Sequence, residues 1–142
     1  MSAINPTDLT ALVIDDHAIL RDMVVQNLRK MGFENIDTAG TSNEAAALMA
    51  KKLYDIIFID WVMPGKSGYA LMQECRQDRQ YDRVAFVMVT AQPEERLMVE
   101  AMKAGATAYI VKPVLPKPFQ EKVKGVLEWI ERVNARAQQT GA

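Results

Sequence analysis

The chain has 142 residues, 17 Lys plus Arg against 18 Asp plus Glu, and a formal net charge of −1. That length suits one domain, and the near balance of charge argues against a nucleic-acid-binding chain or an acidic tail protein. At 49% hydrophobic and 25% charged residues, the composition is that of a folded domain with a real core, not a disordered segment.

Residues 9–14 form a short apolar run and read as a first strand. Ile19, Met23, Val24, Leu28 and Met31 then recur at helical spacing, and Gly32 follows as a stop. A weaker strand signal covers 35–39. Ser42 or Asn43 is placed to cap a second helix through 45–51. Residues 55–59 read as a third strand, and Tyr69, Leu71, Met72 and Cys75 mark a third helix. The fourth strand is 84–89. Pro93 suits the first position of the next helix, with Glu94 and Glu95 beside its positive end, and Gly105 ends it. Residues 106–111 give a fifth strand. Phe119, Val123, Val126, Leu127, Ile130 and Val133 stripe the last helix, and beyond Arg136 the chain reads as a fraying tail.

Most of these strands are apolar on both faces, as parallel strands covered by helices should be. Five strands alternating with five helices predict an α/β fold: a doubly wound parallel sheet, flavodoxin-like, in the order 2-1-3-4-5. Ligands of such sheets bind at the carboxyl ends of the strands, at the switch point between strands 1 and 3.

That rim is chemically loaded. Strand 1 runs into Asp15 and Asp16, strand 3 into Asp60, strand 4 into Thr90 and strand 5 into Lys112. Asp after a strand is ordinary, because it starts turns and caps helices. Five such groups at one rim are not. Three crowded carboxylates repel unless a cation neutralises them, and Mg²⁺ suits carboxylate oxygens while leaving room for a phosphate oxygen. The set suits phosphoryl transfer to an Asp nucleophile, which asks mainly for positioning and charge neutralisation. Asp60, on the middle strand, is the best-placed nucleophile. Thr90 would donate to a phosphoryl oxygen, and Lys112 would add positive charge.

The segments Val13-Ile-Asp-Asp-His17, Asp60-Trp-Val-Met-Pro-Gly65, Val89-Thr-Ala91 and Ala104-Gly-Ala-Thr-Ala-Tyr-Ile-Val-Lys-Pro113 carry a specific likeness. Through them the chain resembles the receiver domain of two-component response regulators, most like the stand-alone chemotaxis-regulator type. The likeness covers about residues 9–133, with 1–8 as an N-terminal extension and 134–142 as a C-terminal tail without an effector domain. It implies that Asp60 is the phosphoacceptor. It implies that Asp15, Asp16, Asp60 and the backbone carbonyl of Val62 hold Mg²⁺. Thr90 matches the hydroxyl that turns toward the phosphoryl group, and Lys112 matches the family lysine. Pro113 matches the proline that usually follows a cis peptide. Tyr109 matches the switch aromatic whose ring moves inward with the threonine, altering the face of helix 4, strand 5 and helix 5.

The implied role is a signalling phosphoacceptor, not an enzyme beyond its own phosphorylation and dephosphorylation. A sensor histidine kinase or a histidine phosphotransfer protein would be the donor. A downstream protein would bind the switched face, with the chain as a monomer or a phosphorylation-linked dimer. No direct nucleic-acid contact is expected, and no apolar run approaches the roughly 18–20 residues that cross a bilayer. The absence of a signal-peptide pattern and the lone Cys75 favour a reduced cytoplasm. The alternative is a pseudo-receiver that binds partners without phosphorylation. Phosphatases with an Asp nucleophile would show Asp-x-Asp after strand 1, and flavodoxins a Ser/Thr-rich loop there; this chain shows neither.

Val62 and Gln92 flank the expected phosphoryl position and depart from the polar residues of many relatives at the first of these sites. His17 directly follows the acidic pair and invites a metal or phosphorelay reading, but with no second His nearby it reads in preference as an exposed loop or helix-start residue. Cys75 and most of the methionines, including Met23, Met31, Met72 and Met88, read as core. Trp61 is expected to be partly exposed beside the metal. Trp129 either edges the output face or packs on helix 1 or 4. The basic residues scattered on the last helix read as a solvated face. Pro113, Pro116 and Pro118 should stiffen the loop before that helix and fix its start.

Overall fold

The short runs rich in β-branched residues form a five-stranded parallel sheet in the computed structural model, which describes residues 4–139. Its strands are β1 (Thr10–Ile14), β2 (Asn35–Ala39), β3 (Ile56–Ile59), β4 (Ala85–Thr90) and β5 (Ala108–Val111). The helices are α1 (Ala18–Lys30), α2 (Ser42–Met49), α3 (Gly68–Arg76), α4 (Glu95–Ala104) and α5 (Pro116–Gln139). The sheet order is β2-β1-β3-β4-β5, as the alternation of elements predicts.

Side chains alternate between the two faces of each strand, so one strand feeds two cores. Ala11 and Val13 of β1 join Phe58, Val87, Leu28, Phe119, Val123 and Ile130 on the face covered by α1 and α5. Leu12 and Ile14 join Ile57, Ile59, Phe86, Met88, Met49, Met72 and Cys75 on the face covered by α2, α3 and α4. Burial on both faces explains why these strands lack a polar alternation.

Several local expectations shift. Thr41, not Ser42 or Asn43, caps α2: its hydroxyl accepts from the Glu44 amide at 3.1 Å. Ser42 is buried and donates instead to the Lys66 carbonyl at 2.9 Å, across to the loop before α3. Pro93 stands before α4 rather than in it, because Glu94 is the N-cap and its carbonyl takes the first helical amides, those of Leu97 and Met98. Gly105 closes α4 at φ 115°, a left-handed conformation that costs glycine nothing. α5 begins at Pro116, so Pro116 and Pro118 fall in the first turn, where amides have no helical partner to lose.

Two expected core residues of α1 lie outside. Ile19 is 78% exposed and Met23 37%, whereas Val24, Val25 and Leu28 are buried. Ile19 belongs to the first turn, at the carboxyl rim of the sheet, where no strand lies beneath it. Within the described residues α5 continues past Arg136 to Gln139, with Ala135 and Ala137 as good helix formers. Before β1, Pro6–Asp8 make a 3₁₀ turn and Ile4 packs on the α1/α5 core. Residues 1–3 of the expected extension and 140–142 of the expected tail lie outside the described residues. Among those described, no helix is long and apolar enough to cross a membrane.

Candidate functional site: an acidic cluster at the sheet rim

Strand pairing brings the acids together. The Asp60 amide donates to the Ile14 carbonyl at 3.1 Å and the Asp15 amide to Ala39 at 3.1 Å, so both residues extend the ladder of β1 just past its end. Asp15 and Asp60 are 3% and 5% exposed. Lys112, just after β5, is anchored by its amide to the Thr90 carbonyl at 2.8 Å. Its ammonium lies 2.7 Å from Asp15 Oδ2 and 2.9 Å from Asp60 Oδ2, bridging the two carboxylates. Burial alone would lower the Lys112 pKa; hydrogen bonds and charges from Asp15 and Asp60 outweigh it, and the pKa is raised.

One lysine does not balance three carboxylates. Asp16 Oδ1 is buried and has no hydrogen-bond partner among the described residues. Ligand atoms of Asp15, Asp16, His17 and Asp60 all lie within 4.8 Å of one another. An unpartnered carboxylate oxygen beside two buried carboxylates is the donor set of a hard divalent cation, so the residues fit Mg²⁺. Val62 donates its amide to Asp60 Oδ1 at 3.4 Å, while its side chain is exposed.

Thr90 is buried, and its hydroxyl accepts from the Gln92 amide at 3.4 Å. The Tyr109 ring is buried and its hydroxyl donates to the Gln92 carbonyl at 2.7 Å. Burial first, then the negative charges of Glu94 and Asp60, raises the Tyr109 pKa. Gln92 therefore joins the two residues through its own backbone. The Lys112–Pro113 peptide is cis. Trp61 is partly buried and stacks on Tyr69, rings 4.4 Å apart and nearly parallel. His17 caps α1 without a side-chain cap bond and is exposed, and Cys75 is buried. Trp129 is half-buried against the α1/α5 core.

Two residues that sequence reasoning passed over hold the cluster in place. Arg21 Nη1 donates to the Asp15 carbonyl at 2.7 Å, tying α1 to the acidic turn. Gly68 opens α3 directly against the end of β3. A Cβ there would overlap the Asp60 carbonyl oxygen and stand 2.7 Å from Ile59 Cγ1. The Ser67-Gly68 pair at a helix start was the available signal for the second; nothing local marks the first.

On the far side of Tyr109, α4 buries little: only Ala101 is fully inside, and Met98, Val99 and Met102 are exposed. With Tyr109 and Lys122 they line a groove of about 580 Å³ along α4, β5 and α5.

Comparison with known proteins agrees with this architecture. Residues 11–124 match the response regulator receiver domain family. The chemotaxis protein CheY-3 of Vibrio cholerae is 32% identical over 128 residues, which is 90% of this chain and 98% of that protein. A CheY-like receiver domain protein from Methanospirillum hungatei superposes with a TM-score of 0.77 at 28% identity, over 88% of this chain and 98% of that one. CheY of Borrelia burgdorferi, solved as a CheX–CheY–BeF3–Mg²⁺ complex, gives a TM-score of 0.76 at 26% identity, covering 83% of this chain and 88% of the other. The acids, the lysine and the fold that unites them thus have one reading: this chain belongs to the response regulator receiver domain family of two-component signalling.

Proposed function

We propose that the chain is a phosphorylation-switched signalling protein in which Asp60 accepts a phosphoryl group from the phosphohistidine of a sensor kinase or phosphotransfer protein. The observation that carries this is the Lys112 ammonium bridging the buried carboxylates of Asp15 and Asp60, beside the unpartnered oxygen of Asp16. Such a cluster is tolerable only with cations present, and cations are what a transferring phosphoryl group requires. Asp15, Asp16, Asp60 and the Val62 carbonyl would hold Mg²⁺, which supplies neutralisation of phosphoryl oxygen charge. An Asp60 carboxylate oxygen attacks phosphorus, the P–N bond to the donor imidazole breaks, and its electron pair stays on that nitrogen. Lys112 keeps one Asp60 oxygen oriented and offers its charge to the incoming group.

Output follows from Thr90 and Tyr109. The long bond from Gln92 to the Thr90 hydroxyl is weak, so a phosphoryl oxygen at Asp60 competes for that hydroxyl. Movement of Thr90 alters the Gln92 backbone, to which Tyr109 is tied, and thereby α4 and the Met98–Met102 groove. A partner protein reading the α4–β5–α5 face senses that population shift. Output is by docking to another protein in the cytoplasm, as a monomer or a phosphorylation-linked dimer; the likeness to a chemotaxis CheY protein over 98% of its length supports a receiver that acts by itself.

The test uses Mg²⁺ and a small acyl phosphate, followed by intact mass. One phosphoryl group should add to the wild type and none to Asp60→Asn. No gain at any Mg²⁺ concentration would overturn the proposal in favour of a pseudo-receiver.

A further inference from the structure

We infer that His17 is a nitrogen ligand in the acidic cluster, raising the site's affinity for imidazole-binding divalent ions (Ni²⁺, Co²⁺, Zn²⁺) above what its carboxylates alone would supply. This rests on the metal-binding reading above and assigns a further residue to it.

The geometry is specific. His17 Nδ1 lies 3.3 Å from Asp16 Oδ1 and 3.5 Å from Asp15 Oδ1. Ligands about 2.1 Å from an octahedral ion are about 3.0 Å apart when adjacent and about 4.2 Å apart when opposite. The two histidine separations are near the adjacent value, and the 4.8 Å limit for the whole group is slightly above the opposite one. A few tenths of an ångström of contraction would bring these donors onto a common ion.

The backbone that carries the imidazole is held there, and the ring nitrogen Nδ1 is turned to the two acids. The His17 amide donates to Asp15 Oδ1 at 2.9 Å, and the Arg21 amide returns to the His17 carbonyl at 2.9 Å. The residue has the extended conformation of a helix N-cap, yet its side chain makes no capping bond. The side chain is 64% exposed, and in the tautomer with its proton on Nε2 the Nδ1 lone pair would face the ion. The buried oxygen of Asp16, lacking a hydrogen bond among the described residues, is closer to that Nδ1 than the Asp15 oxygen is. Hard Mg²⁺ favours oxygen and water, whereas Ni²⁺, Co²⁺ and Zn²⁺ gain from an imidazole.

The test is clean because His17 is the chain's one histidine and the one cysteine, Cys75, is buried. On tag-free full-length protein, Ni²⁺ and Mg²⁺ affinities are measured by calorimetry and by tryptophan fluorescence, for the wild type and His17→Ala. The variant deletes no capping bond and should fold as the wild type does. Ni²⁺ binding should weaken about tenfold or more while Mg²⁺ stays within about twofold. Cobalt absorption should lose its nitrogen-ligand signature in the variant. Unchanged Ni²⁺ affinity, or an equal loss for both ions, would overturn the assignment while the wild type's Mg²⁺ binding still supports the site. A wild type that binds neither ion would overturn the metal site itself, and this inference with it.

Discussion

Gly68 is the sharpest point at which the fold constrains the chemistry. Substitution to alanine adds one methyl group where α3 meets the end of β3. That carbon would overlap the Asp60 carbonyl oxygen and stand 2.7 Å from Ile59 Cγ1 and 2.9 Å from the Asp60 carbonyl carbon. Ordinary contacts are about 3.5 Å, so α3 or the Asp60 backbone must retreat by on the order of 1 Å. The obstacle includes backbone, which cannot rotate away as a side-chain tip can. Overpacking of this kind costs about 1–3 kcal/mol, and the bond from the Gly68 amide to the Trp61 carbonyl, 2.9 Å, is endangered with it. A misplacement of about 1 Å at a reacting group lowers rates by about 100-fold. Gly68→Ala should therefore lose stability in urea melts and phosphorylate far more slowly with a small acyl phosphate. A variant matching the wild type in both midpoint and rate would refute the steric reasoning.

The remaining predictions use other sites. Gly125 lies exposed in α5, and beyond the helix's own backbone a methyl group there would meet open space, so Gly125→Ala should stabilise the chain by about 0.5–1 kcal/mol in the same melts. Burial, with Glu74 adding to it, pushes the Cys75 thiol up to about 11. At pH 8 it should resist a thiolate-specific reagent until denaturant is added; rapid labelling of native protein would contradict its burial. The Lys112 pKa is raised, so its contribution to stability is complete below the unfolded value of about 10.4 and fades as pH climbs through the higher folded value. Tyr109, also raised, acts with the same sign from about pH 10 upward. Unfolding free energy should fall between pH 10 and 12 by denaturant titration, with a shallower fall in Tyr109→Phe; a rise over that range would contradict both.

Much of this protein is legible before any coordinates. Short runs apolar on both faces, set between helical stripes, lead directly to the parallel sheet and its order, because local patterning decides which elements form and two-sided burial decides how they stack. The topology in turn delivers Asp15, Asp16, Asp60, Thr90 and Lys112 to one rim. Failures came where a local pattern met a tertiary limit. Ile19 and Met23 have helical core spacing but face solvent, since a stripe says nothing about where the sheet stops. Ser42 is a good capping residue that the fold uses elsewhere, bonding to Lys66 while Thr41 takes the cap.

What the sequence determined alone was therefore the inventory and its address: which chemical groups exist and at which end of which strand. Only the tertiary structure decided their pairings. Lys112 meets Asp15 across 97 residues of chain, and the choice of which carboxylates it bridges arises from the closure of five strands into one sheet. The same closure set the Asp15 and Asp60 carboxylates side by side at the Lys112 ammonium and pressed Gly68 against Asp60. These are distances between elements, and no periodicity within an element encodes them.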